Sequence, residues 1–404
     1  MRITLLGKLV ILIIAAGAAY GGYNFWQKSQ SNKPKVASNG KNTPTNTNNG
    51  QQTTPNNNSG LGVQIEFVTT AAKKGWISQQ VKRFNEQSGG KWQIVSKEVP
   101  SREAMHAILS GKEKPVLWSP GSPIWPQRLS EAYSQKNSGS NIVDLSDPNG
   151  YRVFLRSPLV FMTTKKKAAF LRPLLGGQRP WSALRDLSTG KIKTPWNGFR
   201  FSQADPITSS SGMMTLGLIM NDYAQTTGQA GKFENLPKSK EFINYLKDLN
   251  RSLVYDTPAK GGTTKLTNAF LEDPSRYDVI TGYEAAALKA VGDGSNIAVI
   301  YPAPTSVSEH AVSLLSADWV SPEQKEGALE FIKFLGSKES LEAGLKDDFR
   351  PAQSGGTLSL NDKLGRFSSS GFQQSFTTTD LPPYEPLNAT AFRWTKEIAT
   401  AHSY

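Results

Sequence analysis

The chain has 404 residues, a net charge of +13, 37% hydrophobic and 20% charged side chains, and no cysteine. That length exceeds one ordinary core and favours two lobes, and the missing cysteines exclude disulfides, thiolate metal sites, a cysteine nucleophile and a lipid-modified cysteine. His106, His310 and His402 stand too far apart in sequence for a metal-ligand motif, and the one dense basic run, Lys165-Lys166-Lys167, reads as a helix start or solvated turn rather than a nucleic-acid patch.

In chain order, "LVILIIAAGAAYGGYNFW" (9–26) lies uncharged between Lys8 and Lys28, long enough to cross a bilayer. Its alternative is a cleaved signal, with Ala16-Gly17-Ala18 as the small-residue cleavage site. Residues 29–60 are an Asn/Thr/Gly/Pro tract with almost nothing to bury, and read as a disordered tether. The first 28 residues are thus expected to be a signal-anchor and the rest to be displayed beyond the membrane.

Period-two alternation predicts a strand at "VQIEFVTT" (63–70), and a helix follows through "GWISQQVKRFNEQSG", ended by Gly89-Gly90. A second strand, "WQIVSKEV", a helix, "REAMHAILSG", and a short buried strand in "KPVLWSPGS" complete an alternation that predicts an α/β lobe with a largely parallel sheet. Ligands of such sheets bind at the carboxyl ends of the strands. Thr69 and Thr70 after the first strand, and Ser119 and Ser122 after the third, are therefore candidate contacts. Trp118, Trp125 and Tyr301 read as core packing.

"FLRSPLVFMTT" (154–164) is extended and interrupted by Pro158. A second α/β region follows, with helical patterns at "KEFINYLKDLN" and "TKLTNAFLED", a strand–turn–helix at "YDVITGYEAAALKA" and a strand at "IAVIYPAP". Within it, "ADPITSSSGMMTLGLI" (204–219) sets Thr208, Ser209, Ser210 and Ser211 where a helix begins. A helix start carries unpaired N–H groups and the positive end of a dipole. Four hydroxyls beside them suit an oxyanion or another acceptor-rich solute, Gly212 leaves the backbone approachable, and the bland alternative is a single serine N-cap. Tyr283 opens a further helix and is a candidate cleft wall, while Glu284 favours that helix start. Ser321 is the expected N-cap, with Pro322 at the first position, of the helix through "PEQKEGALEFIKFL".

The segments "PVLWSPGSPIW", "RSPLVFMTT", "DPITSSSGMMTL", "YDVITGYEAAAL", "IAVIYPAP" and "LLSADWVSPEQKEGALEFIKFLGSKESLEAGLKDDFRPA" resemble, in their order, the extracellular solute-binding proteins of ABC-type transport. Within that family they are most similar to molybdate- and sulfate-like modules, some of them fused to von Willebrand factor type A domains. The resemblance spans about 63–355 and implies a two-lobed, periplasmic-binding-protein-like (type II) flytrap. It places lobe 1 at 61–156 plus 306–404, lobe 2 at 157–305, and the hinges near 153–160 and 300–312. It also implies a small solute, an ABC permease or a von Willebrand factor type A domain protein as partner, and an extracytoplasmic, membrane-tethered globule. The alternative is a surface scaffold with the same fold and no ligand.

The sequence carries no nucleophile elbow, Walker loop or dinucleotide fingerprint. Neither enzymatic chemistry nor a cofactor is expected.

Overall fold

The computed structural model describes residues 62–352 and 360–402. The apolar segment 9–26 and the tether 29–60 fall outside them; among the described residues no helix is long and apolar enough to cross a membrane.

The first stretch runs β1 (Val63–Thr69), a 3-10 turn at Ala71–Lys73, α1 (Lys74–Gln87), β2 (Trp92–Glu98), α2 (Ser101–Leu109), β3 (Leu117–Trp118) and α3 (Ile124–Lys136). A long strand, β4 (Tyr151–Thr164), leads into α4 (Lys165–Leu175), α5 (Pro180–Ser188), β5 (Phe201–Ser202) and α6 (Ser210–Thr226). Next come α7 (Lys240–Leu249), α8 (Thr257–Lys260), α9 (Thr263–Glu272), β6 (Val279–Tyr283), α10 (Glu284–Gly292) and β7 (Ile297–Ile300). The chain returns through β8 (Val307–Leu314), α11 (Pro322–Leu335), α12 (Lys338–Lys346) and β9 (Arg350–Pro351), and a tail adds α13 (Leu360–Leu364) and α14 (Tyr384–Glu397).

Local chemistry explains the boundaries. Gly89 and Gly90 take positive φ just beyond α1, where a side chain would strain the backbone. Ser321 caps α11 reciprocally: its hydroxyl accepts from Gln324 N, and the Gln324 side chain accepts from Ser321 N. The Lys165–Lys167 run opens α4, capped by Thr164, and Lys167 pairs with the buried Asp278.

The strand order is β2-β1-β3-β8-β4-β6-β5, with β7 and β9 also on β4. β1 pairs in parallel with β2 and β3, but β8 is antiparallel to β3 and β4, and β9 is antiparallel to β4. The expected largely parallel sheet is therefore corrected to a mixed one. Periodicity marks a strand without its direction, and β8 returns from the far end of the molecule.

β4 belongs to two sheets. Its first half pairs with β8 as far as Pro158↔Val307, and its second half pairs with β6 from Leu159↔Tyr283 and with β7. Pro158, which has no N–H to donate, sits at the changeover, where a missing ladder bond is tolerated. We call the β2-β1-β3-β8 side the first lobe and the β5-β6-β7 side the second.

One apolar cluster, with Phe67, Trp76, Phe84, Phe331 and Leu335, lies between the first sheet and α1 and α11. A larger one runs from Trp118, Trp125 and Leu129 through β4 into α6 and α7. The tail, assigned by the resemblance to the first lobe, packs on the second. α14 lies on α6 and on the turn at 236–238, Trp394 meets Tyr255 edge-on, and Asn221 Nδ2 donates to Asp380 O at 2.7 Å. The other edge of α14 crosses to the first lobe: Arg102 Nη1 donates to Asn388 Oδ1 at 2.8 Å, and Arg128 pairs with Glu385 at 3.0 Å.

Candidate functional site

Six helices of nine or more residues begin near the junction of the two sheets. They are α1 after Lys73, α2 at Ser101, α3 after Pro123, α6 after Ser209, α9 after Gly262 and α10 after Tyr283. Each presents unpaired N–H groups and the positive end of its dipole. The potential there is positive before any side chain is counted.

On the second-lobe side, the run opening α6 is arranged by Asp205. Its carboxylate accepts from Ile207 N and Thr208 N, and Tyr255 OH donates to its other oxygen. That Asx turn aims Ser209 and Ser211 inward, where both hydroxyls lie 2.6 Å from the Thr263 hydroxyl and 3.2 Å from one another. Ser210 turns to the first lobe: its hydroxyl accepts from Trp125 Nε1 at 2.9 Å and donates to Ser101 Oγ at 3.2 Å. Thr208 stands apart, exposed, its hydroxyl 3.5 Å from Lys260 O.

Gly212 has a different use from the one expected. A Cβ there would stand 2.2 Å from Ala204 O, so the missing side chain admits the preceding backbone against the helix start rather than a ligand.

On the first-lobe side, the loop 119–122 leaves β3. Gly121 N donates to Ser101 Oγ, and Gly121 O accepts from Ser308 Oγ at 2.6 Å and from Tyr283 OH at 3.4 Å. A Cβ on Gly121 would come within 3.0 Å of Ser210 Oγ, so glycine sets how closely the lobes approach. Ser119 points into the first lobe and donates to Ala311 O, a core bond away from the cleft. The buried hydroxyls of Thr69 and Ser122 have no partner, which is costly unless something else satisfies them.

Two residues that the sequence did not single out complete the site. Lys73 is 1% exposed. Its ammonium donates to Pro120 O at 2.9 Å and to Thr70 Oγ1 at 3.2 Å, and burial lowers its pKa to about 7. His310, fully buried on β8 between the rings of Tyr283 and Phe349, has no partner on either nitrogen. Burial first, and Lys73 second, keep it well below the usual imidazole range. Burial likewise pushes the Tyr283 phenol up. The legible signal for Lys73 was "AAKKGW": two cations at a helix start, where the dipole disfavours them.

Of the nine predicted residues, hydrogen bonds place Thr70, Ser209, Ser210, Ser211 and Tyr283 at this junction; Thr69 and Ser122 are buried without a partner, Ser119 bonds into the core and Thr208 is exposed. Among the described residues no group of acids and histidines could hold a metal ion.

Beside the cleft, Glu284 does more than favour a helix start. Arg350 grips it bidentately, with Nε–Oε2 and Nη2–Oε1 both 2.7 Å, while Tyr301 OH donates to the same carboxylate. Arg350 also donates to the carbonyls of Gln373 and Gln374 and is flanked by the rings of Phe372 and Phe376. Burial works against the guanidinium's charge, but the bonds to Glu284 outweigh it and raise the Arg350 pKa. The pair pins β9, on the first-lobe half of β4, to the start of α10 in the second lobe.

Residues 79–355 match the family described as bacterial extracellular solute-binding protein. Among solved structures, the chain is similar to the sulfate-binding protein SubI from Mycobacterium tuberculosis, with TM-score 0.53, 17% identity, and coverage of 78% of this chain and 94% of that one. It is similar also to the periplasmic binding protein AfuA from Actinobacillus pleuropneumoniae, with fructose-6-phosphate bound, at TM-score 0.53 and 15% identity, covering 83% and 98%. The maltose/maltodextrin-binding domain MalE from Bdellovibrio bacteriovorus, bound to maltotriose, gives TM-score 0.57 and 12% identity, covering 84% and 95%. At these identities the likenesses establish the fold. No curated protein matches the sequence.

Proposed function

The chain belongs to the bacterial extracellular solute-binding proteins, and on that footing we propose that its two lobes close on one small polar or anionic solute and present it to an ABC permease. The observation that carries this reading is the convergence of hydroxyls from both lobes on the starts of six helices, with the Thr69 and Ser122 hydroxyls still unpartnered. Solute bridging the α6 start and the 119–122 loop would stabilise the closed arrangement by its differential affinity for it. The globule works outside the cytoplasm, as its family does. The segment 9–26 anchors it to the membrane, with secretion after cleavage as the alternative, and a von Willebrand factor type A domain protein is the alternative partner.

A second reading, a surface scaffold without a ligand, is favoured by one observation. Ser210, Ser101, Gly121 and Tyr283 already touch across the cleft, and two surface hollows, one lined by Tyr151 and Arg156 and one by Ile192 and Trp196, lie elsewhere.

A thermal-shift screen with sulfate, molybdate, phosphate, amino acids and maltotriose separates the two. A native-state ligand raises the melting temperature with concentration. Ser210→Ala combined with Ser211→Ala is expected to weaken the best ligand more than tenfold, about 1.4 kcal/mol, with the far-ultraviolet spectrum unchanged. Equal affinity in that folded variant would remove the α6 start from the site.

A further inference from the structure

Lys73 is held where a cation is expensive. It is buried at the positive end of α1, with α9 packed against its turn, and its two bonds go to a neutral carbonyl and a neutral hydroxyl. The titratable groups around it supply no counter-charge. His310 on β8 is near enough to feel its charge, and burial first, then Lys73, keep that imidazole neutral at physiological pH. Lys74, next along α1, is paired with Glu98. Asp347, beyond α12, lies beside Gly75, and Lys265 of α9 folds back over Gly261. The loop 119–122 contributes only hydroxyls and carbonyls.

An unpaired buried ammonium is unstable unless an anion joins it or its proton leaves. Buried acceptors and donors without partners, Thr69 Oγ1, Ser122 Oγ and both nitrogens of His310, lie on the elements that meet here: the end of β1, the loop after β3 and β8. Among the described residues no carboxylate forms an ion pair with Lys73, and Asp205 and Glu284, at the starts of α6 and α10, are engaged by partners of their own.

We propose that Lys73 is the counter-ion of the solute: the cleft takes a small oxyanion, and taking it draws one proton from solvent onto the Lys73 amine. This deepens the solute-binding reading and rests on it. The hydroxyls and helix starts bind the oxygens, while Lys73 supplies the charge. Without an anion beside it the amine gives up its proton near pH 7. With one it stays protonated well above that, so affinity falls as pH rises through this range. The balance is one proton bound per anion bound, with no bond made or broken.

The test is calorimetry of the full chain with sulfate and molybdate, which do not titrate above about pH 6, in buffers of different protonation enthalpy, with maltotriose as a neutral probe. From about pH 6 to about pH 8 the affinity for the anion is expected to fall roughly tenfold, with close to one proton taken up at the upper end. Lys73→Met should lose most of the affinity and all of the proton uptake. Lys73→Arg, whose guanidinium keeps its proton, should bind without uptake, and so separates the charge from simple loss of fold.

Anion binding without proton uptake in the wild type, or an unchanged pH profile in Lys73→Met, overturns the inference. Binding of maltotriose with no response to either anion also overturns it, while leaving the solute-binding reading intact. No response to any solute removes both.

Discussion

Two buried cations stand close to the junction of the lobes, and the chain treats them in opposite ways. Arg350 has a bidentate carboxylate, two carbonyls and two aromatic faces, and its pKa is raised. Lys73 has one carbonyl and one hydroxyl, and its pKa is lowered to about 7. The first is a finished structural joint. The second is an incomplete one: a buried cation whose two partners are neutral, an arrangement that costs stability.

The sharpest way to break the comparison is Arg350→Met. It strands Glu284 at 0% exposure, and loss of one member of such a pair costs about 3–5 kcal/mol. Urea unfolding at neutral pH measures it, and the double variant with Glu284→Gln should recover much of the loss. A cost below about 1 kcal/mol would mean that the two cations are not different in kind.

Lys73→Met carries the next effect, and it shows in pH dependence. The unfolded lysine keeps its proton to its ordinary pKa of 10.5, while the folded one releases it near 7. In the window between them the unfolded state binds more protons, so stability rises with pH, with a slope on the order of 1 kcal/mol per pH unit. Below about 7 both states are protonated and the folded state carries the full penalty. Unfolding free energies of wild type and Lys73→Met should lie furthest apart near pH 6, the methionine variant being the more stable there, and should converge by that slope toward pH 10. Parallel curves would place Lys73 in better company than its contacts indicate.

Glu385→Ala is the smallest test. Arg128–Glu385 is an exposed pair joining α14 to the first lobe, 24% and 66% exposed, and is expected to contribute under about 1 kcal/mol, and less at high salt. A larger, salt-independent loss would make α14 a structural strap of the same rank as Arg350.

Much of this was legible in the residues. The strands β1 and β2, the helices through 75–89 and 322–335, the Ser321 cap, and the hydroxyl run opening α6 all follow from local rules. The Arg350–Glu284 pair does not, because its members lie 66 positions apart and each has a sufficient local explanation: a closing motif for one, a helix start for the other. Ser119 shows the converse. Its place at a strand end fits a ligand contact, yet its hydroxyl turns into the core toward Ala311, a choice set by β8, whose direction no periodicity records. Lys73 breaks a local rule, a cation at a helix start, but the break alone does not say where the side chain goes; its bond to Pro120 O does.

The shared strand β4 has a consequence for how the chain is made. The first lobe's β2-β1-β3 layer gains its next strand only with β8 (Val307–Leu314), which pairs with Leu117 and Trp118, and gains α11 against β1 only after that. A partly synthesised chain therefore holds a sheet with one edge unpaired, and pairing across such separations is slow. Until residues 307–314 exist, the β3 edge that β8 covers is unpaired, while β4, β6 and β7 already hold their own partners. By the order of synthesis, the first sheet is therefore the part of the molecule that closes last.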